Sequence, residues 1–422
     1  MGICMNISVY QGRFWRSPLA LAWFACALQG ADAPLRVSIQ EAVREALASH
    51  PALQAESERM AVSEGLRRQA ELKPNPRLIL QTENLRAYGA PGFVYGRDAD
   101  TYAYLSRTFQ TSGKREARIG VADANREKAR LERELLSRQI AHRVRIAYWN
   151  AAGAERTYQL LRENHRTFEQ IVEYHRNRVR EGSMAEVDLI RVQLESDRLD
   201  LAAHGAALDA ERARIQLLRE MGRDEFPAIE LTDALDAAIP EPAAPDIAMA
   251  LAQRTEMKLA HQAVEQARAN QRLQQSLARP DVEGMLGYKR TAGFHTWLAG
   301  VQLSLPFADR NQGNIAAAAA EIRYAETAMK ATEAIIRAEV DAARVECEIR
   351  RRQLSVSLKP LLERAAESAR IALAAYREGG ADLLRLLDAQ RAQIEAQLLY
   401  VKTLTEYRQA LVTLETAMGV SQ

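Results

Sequence analysis

The chain has 422 residues, 47% apolar and only 6% aromatic, with 57 Lys and Arg against 55 Asp and Glu for a net charge of +2. That balance, without a concentrated basic patch, gives no footing for nucleic-acid binding. Scarce aromatics beside abundant Ala, Leu, Glu, Arg and Gln favour long helices packed through small side chains over one thick core.

Residues 1–30 read as a secretion signal. Arg13 and Arg16 precede an almost wholly apolar run at 17–28, too short to cross a bilayer as a helix, and Ala25 with Ala27, or Ala31-Asp32-Ala33, offer cleavage sites. Cys26 is an alternative lipid-attachment point, although Trp23-Phe24-Ala25 before it matches such sites poorly. Of Cys4, Cys26 and Cys347 only Cys347 survives cleavage, which excludes an intrachain disulfide.

A helix is expected over 38–72, capped by Ser38 with Glu41 three residues on and kinked or broken at Pro51. Pro74 and Pro76 end it, and 77–88 alternates as an extended segment, with Leu78, Leu80 and Thr82 on one side. A loop at 90–101 leads to a second strand, 102–109. Gly113-Lys114-Arg115 then opens a helix of roughly 65 residues reaching Arg180, on the order of 100 Å long. Leu131, Leu135, Ile140, Val144 and Ala147 recur along it with charges between, as in a coiled-coil-like wall.

A tip at 180–190 carries Glu181 and Gly182, the glycine supplying the positive dihedral that a helix end favours. A return helix runs to about Met221, and the Pro- and Ala-rich stretch 224–246 is the clearest break in the chain. The second half repeats the first. A helix from about 247 ends at Pro280; strands are expected at 282–289 and 297–307, with a short loop near 290–295; an uninterrupted helix follows from Asn311 to Tyr376; a tip at 377–388 carries Glu378 and Gly379; a last helix returns. Gly379 follows Gly182 by about 197 positions, and Leu303 follows Leu105 by about 198, so 31–223 and 247–422 read as two copies of one unit joined by a linker.

Strands of about ten residues suit a tilted crossing of a bilayer. Four cannot close a barrel, and open edges are not tolerated in lipid, so several chains must contribute. Tyr88, Tyr95, Tyr102, Tyr104, Tyr288, Phe294 and Trp297 crowd these segments and suit an interfacial girdle. A small soluble sheet with a Tyr-rich core is the alternative.

The duplicated plan, both tips, and Leu303-Ser304-Leu305-Pro306-Phe307-Ala308 with Asp309, Arg310, Asn311, Gln312, Gly313 and Asn314 resemble the TolC family of outer membrane efflux proteins over about residues 38–420. The 309–313 run and Gly113-Lys114-Arg115 at the equivalent junction are similar to the heavy-metal branch typified by CzcC and CusC. The resemblance implies a mainly α fold with a transmembrane β part: a homotrimer with a 12-stranded barrel in outer-membrane lipid and a helical tunnel through the periplasm. It implies docking with a periplasmic membrane-fusion adaptor and an inner-membrane resistance-nodulation-division pump, no enzymatic activity and no cofactor. Stretch 224–246 would be an equatorial belt.

At the tips, Glu181 and Glu378 would meet the adaptor. The resemblance implies that Tyr376 and Asp188 hydrogen-bond to hold the periplasmic end closed, and that Asp388 lines a cation-attracting constriction. Two positions depart from the family's pattern: Arg385 stands where a second constriction aspartate would be, and Ala381 where a closing arginine would be. Aligned at their glycines, the tips set Asp188 opposite Arg385 and Arg191 opposite Asp388, a reversal that suggests a charge-paired gate. No metal site is expected: His50, His142, His165, His175, His204, His261 and His295 are scattered, and Cys347 has no cysteine neighbour. The expected function is the exit duct of a metal efflux system; a drug-efflux or type I secretion duct is the near alternative, and a poreless periplasmic coiled-coil scaffold or adaptor the distant one.

Overall fold

The computed structural model describes residues 35–86, 88–237, 241–242, 244 and 246–420; the signal segment and Cys26 lie outside them. The first unit begins with strand β1 (Leu35–Val37), helices α1 (Ile39–Ser49) and α2 (Pro51–Glu71), strand β2 (Arg77–Glu83), a one-turn α3 (Tyr95–Asp98) and strand β3 (Asp100–Phe109). It continues with α4 (Lys114–Arg180) and α5 (Glu186–Glu220), followed by strand β4 (Ile229–Leu231). The second unit comprises α6 (Ile247–Gln253), α7 (Thr255–Leu277), β5 (Val282–Thr291), β6 (Phe294–Leu303), α8 (Gln312–Arg352), α9 (Lys359–Arg377) and α10 (Leu383–Ala417).

Ser38 accepts from the Glu41 amide while the Glu41 carboxylate takes the Ser38 amide, a reciprocal cap that starts α1. Pro51 needs no amide partner at the first position of α2, so α1 and α2 meet at His50 as separate helices. The 67 residues of α4 span about 100 Å. It packs along α5 on one side and α10 on the other, and α10 in turn along α8 and α9, giving a wall whose edge helices are α5 and α8–α9. Ile140, Val144, Tyr148, Leu217, Val340, Cys347, Leu404 and Tyr407 form the middle of the core. Burial pushes the Cys347 thiol up to about 11, so it is a packing group.

The helix expected to run without interruption over 311–376 is broken in its winding. Residues Gln353–Leu358 form a π segment between α8 and α9. Pro360 has no amide to give the Val356 carbonyl and its ring crowds that carbonyl, and the wider winding just before it absorbs the mismatch.

Strands β2, β3, β5 and β6 pair antiparallel in that order. Their limits differ from the sequence expectation for local reasons. Asn84, at a φ of 59°, turns the chain out of β2 and donates to Asp100, so Tyr88 lies in the following loop and is exposed. Ala292 and Gly293 take φ of 49° and 80°, the two positive dihedrals of a tight hairpin turn. β5 therefore extends to Thr291 and β6 begins at Phe294.

The register assigns the faces. Leu78, Leu80, Leu105, Leu286, Tyr288, Trp297, Val301 and Leu303 share one side, and Gln81, Glu83, Tyr102, Tyr104, Glu283, Lys289 and Gln302 share the other. Tyr288 and Trp297 thus stand on the apolar face. Tyr102 and Tyr104, expected in the same girdle, stand on the polar one, where the Tyr102 hydroxyl donates to Glu83 at 3.2 Å and Lys289 sits 5.0 Å from its ring centre.

The 224–246 linker is tied to both units. β4 pairs in parallel with β1. The Asp233 carboxylate accepts from the Ile39 amide at 2.7 Å and the Tyr148 hydroxyl at 2.9 Å. Arg408, stacked 4.9 Å over Trp149, donates to the carbonyls of Leu235 and Ala237.

α4 approaches α10 closely at Gly153, where a Cβ would lie 2.2 Å from Oγ1 and 2.7 Å from Cγ2 of Thr405. Overpacking there costs about 1–3 kcal/mol, more than the roughly 1 kcal/mol that alanine gains in helix propensity. Gly153→Ala is therefore expected to lower the thermal unfolding midpoint by several degrees, and Thr405→Ala added to it to restore part of the loss. An unchanged midpoint in Gly153→Ala would contradict the close approach.

Candidate functional site at the hairpin tips

Both tips close the same way. α4 is capped at Glu181, Gly182 takes a φ of 70°, and Gly182 and Ser183 return their amides to the carbonyls of Val179 and Arg178. At the second tip Gly379 has a φ of 77°, and Gly379 and Gly380 donate to Tyr376 and Ala375. The exits differ. Asp382 caps α10 by accepting the Arg385 amide at 2.9 Å, whereas Ala185 starts α5 without a side-chain cap. Glu181 and Glu378 are exposed at the extremity.

The four reversed charges sit one turn inside. Within the chain they pair along helices: Asp188 with Arg191 at 3.7 Å, and Asp388 not with Arg191 but with Arg391 at 3.9 Å. Among the described residues no carboxylate pairs with the Arg385 guanidinium. The ion pair that joins the two hairpins lies a turn farther from the tip. Arg391 of α10 closes a two-point fork on Glu195 of α5, its Nε 3.0 Å from Oε2, and Arg198 adds a third hydrogen bond at 2.6 Å. The Arg391 hydrogen bond, helped by both guanidinium charges, holds the Glu195 carboxyl below its usual range. Beneath, Leu383, Leu386, Leu387 and Ile394 of α10 seat against Phe168, Val172 and Val192 of α4 and α5.

Tyr376 is engaged too, but its hydroxyl meets Nε2 of His175 at 2.7 Å rather than Asp188. The rings stack 5.5 Å apart, and Nδ1 of the buried His175 lies 2.7 Å from the Ile171 carbonyl. With Nδ1–H donating to that carbonyl, Nε2 accepts the tyrosine proton. Burial, then the charge of Asp188, raises the Tyr376 pKa.

The junction motifs act as bolts at the other end. Gly113, with a φ of 67°, starts α4; Lys114 is buried and donates to Asp281 at 2.7 Å; and Arg115 reaches the Glu71 carbonyl at 2.7 Å. In the second copy Asp309 accepts from the Asn311 amide, Gln312 from the Arg310 amide, and Asn311 donates to the Gln274 carbonyl; Gly313 enters α8. Among the described residues no three His, Cys, Asp or Glu side chains gather as metal ligands.

His175, Glu195 and Arg391 were not singled out from sequence. His175 lacked the neighbours that mark a metal ligand. Glu195 and Arg391 are 196 positions apart, one short of the repeat offset, so aligning the tips at their glycines does not bring them opposite each other.

The model of the family described as "Outer membrane efflux protein" matches residues 42–223 and 247–420. The cobalt-zinc-cadmium resistance protein CzcC of Cupriavidus metallidurans is 24% identical over 386 residues, covering 91% of this chain and 90% of that protein. Among solved structures, CusC superposes with a TM-score of 0.77 at 16% identity, covering 91% of this chain and 92% of that one. The open-state outer membrane channel MtrE of Neisseria gonorrhoeae superposes with a TM-score of 0.75 at 19% identity, covering 91% and 89%. At these identities the superpositions speak to fold alone.

Tyr376→Phe removes the one partner of Nε2 on the buried His175, a loss of about 1–3 kcal/mol. Amide hydrogen exchange is expected to quicken around residues 172–184 and 372–380 while the core around Val144 stays protected. Unaltered exchange at the tips would refute the assignment.

Proposed function

Because the chain belongs to the outer membrane efflux protein family, we propose that three copies form the exit duct of a tripartite efflux system and that its cargo is heavy-metal cations such as cobalt, zinc, cadmium, copper or silver. The protein is an efflux channel of the TolC and CzcC type and not an enzyme. None of the described helices is long and apolar enough to cross a membrane. In this reading the crossing falls to the strands, in the outer membrane, and the helices extend into the periplasm.

The observation that carries the assembly is a pair of bare edges. On α5, Val187, Leu194, Leu201, Leu208 and Ile215 recur every seventh residue and are 41–72% exposed. On the opposite edge of the wall Ile335, Ile349 and Val356 repeat at multiples of seven, likewise exposed. A heptad seam in water calls for a partner helix. Seating α5 of one copy on α8–α9 of the next is a head-to-tail contact, which closes a ring. Heights agree: Leu208 and Val356 both lie about 32 Å from their tips, and Ile215 and Ile349 both about 43 Å. The same rotation brings the free edges of β2 and β6 together, and three copies give twelve strands.

At the periplasmic end, Glu181 and Glu378 would contact a membrane-fusion adaptor coupled to a resistance-nodulation-division pump. Asp188, Arg191, Tyr376, Arg385 and Asp388 would line the gate. The metal cargo is supported by the end-to-end match to CzcC, which is itself a cobalt-zinc-cadmium resistance protein.

Protein extracted from outer membranes is expected to be a detergent-stable trimer that conducts ions across a planar bilayer; a soluble monomer without conductance would refute the duct. A strain lacking the protein is expected to lose resistance to at least one of zinc, cobalt, cadmium, copper and silver. Loss of antibiotic resistance alone would reassign the cargo to drugs.

A further inference from the structure

We propose that His175 and Met184 form a binding site for a soft cation, silver(I) or copper(I), with Nε2 of the imidazole and Sδ of the thioether as its ligands and the Tyr376 hydroxyl as the group the ion displaces. The proposal rests on the metal-cargo reading above and narrows that cargo to soft monovalent ions.

Three electron-pair donors converge at the first tip around a single proton. His175 is fully buried in α4, and with its Nδ1–H given to the Ile171 carbonyl at 2.7 Å, Nε2 presents a lone pair. That lone pair takes the Tyr376 hydroxyl proton at 2.7 Å. The same hydroxyl oxygen lies 3.9 Å from Sδ of Met184, in the loop between α4 and α5. A phenol has one proton to give and Nε2 holds it, so the sulfur faces that oxygen with nothing to accept. Burial and the charge of nearby Asp188 raise the Tyr376 pKa, so the phenol keeps its proton while a carboxylate charge bears on the same spot. Imidazole nitrogen, thioether sulfur and a neighbouring anion are surroundings that a cation stabilises.

The donors select the ion. Thioether sulfur is a soft ligand that favours copper(I), whereas imidazole serves soft and borderline metals alike. Zinc calls for three or four Cys, His or carboxylate ligands, and among the described residues no three gather. Nε2 carries no proton, so the ion binds without expelling one from the imidazole. Tyr376 need only turn aside, its hydroxyl keeping its proton. Met184 is half-buried between the exposed Ser183 and Ala185, which gives an ion entry from solvent at the tip. Because the Tyr376 hydroxyl competes with the ion for Nε2, removing it tightens binding; a hydroxyl that ligated the ion would weaken binding when lost.

The test is an NMR titration of the purified full-length protein in detergent, isotopically labelled at methionine methyl groups and histidine ring nitrogens, with silver nitrate in chloride-free buffer. Met184→Leu, which nearly conserves side-chain volume, identifies the Met184 signal, and the buried His175 is recognised by its exchange-protected Nδ1–H. Silver is expected to shift the Met184 methyl and the His175 Nε2 signals with a common midpoint, and zinc at the same concentration to leave both in place. Tyr376→Phe is expected to bind silver about tenfold more tightly, as the ion no longer displaces a hydrogen bond. A Met184 signal that silver leaves unmoved, or that zinc moves as readily, would overturn the site, as would a Tyr376→Phe that binds silver more weakly. If Tyr376→Phe does not fold, the two signals of the wild-type protein decide: a common midpoint upholds the site, and separate midpoints overturn it. A protein that shows the shifts without conducting refutes the duct and leaves the site standing. One that conducts with unmoved signals refutes the site alone.

Discussion

Unpaired edges govern this molecule at both levels of its structure. β2 and β6 each present a row of backbone donors and acceptors with no neighbouring strand among the described residues, and in lipid every such group must be satisfied. The helical wall ends in two exposed seams, one on α5 and one on α8–α9. Neither defect can be repaired by folding alone. The proposed head-to-tail association would repair both with one rotation, making barrel closure and tunnel closure a single event. The 67-residue α4 has no role in a compact domain but an obvious one as a stave.

That constraint explains where the fixed points lie. Lys114 and Asp281 pin the start of α4 to the start of β5, so the two repeats share one strand-to-helix junction. Tyr148, Asp233 and Arg408 fasten the linker across the middle of the wall. These ties are buried, or lean on aromatic rings. At the tips Asp188 and Asp388 pair along their own helices, while the Arg391–Glu195 fork, the Tyr376–His175 bond, the Tyr376 hydroxyl on Met184 and the Asn164–Gln397 amide pair join the hairpins.

Much of this was legible in the residues because it is local and periodic. The long helices, the proline stops at Pro74 and Pro280, and the glycine turns at Gly182 and Gly379 follow from spacing and backbone preference. What was not legible depended on partners remote in sequence. Tyr102 and Tyr104 looked like girdle residues because they are aromatic; only the register against Gln81 and Lys289 puts them on the polar face. The three-residue β1 and β4 carry no periodicity to read. The π segment required weighing Pro360 against an otherwise helical run. At the gate, the charge reversal was visible, but its partners were not: Asp188 and Asp388 pair within their own helices, and the bridge between hairpins is Glu195 to Arg391.

The central claim is that α5 of one copy lies on α8–α9 of the next. Its most direct test is oxidative cross-linking of the double variant Leu208→Cys, Val356→Cys, positions at matching height on the two edges. The ring predicts a ladder of covalent dimer and trimer on a non-reducing gel that either single variant lacks and that collapses to monomer on reduction. A double variant that stays monomeric under oxidation while the channel is assembled would contradict it.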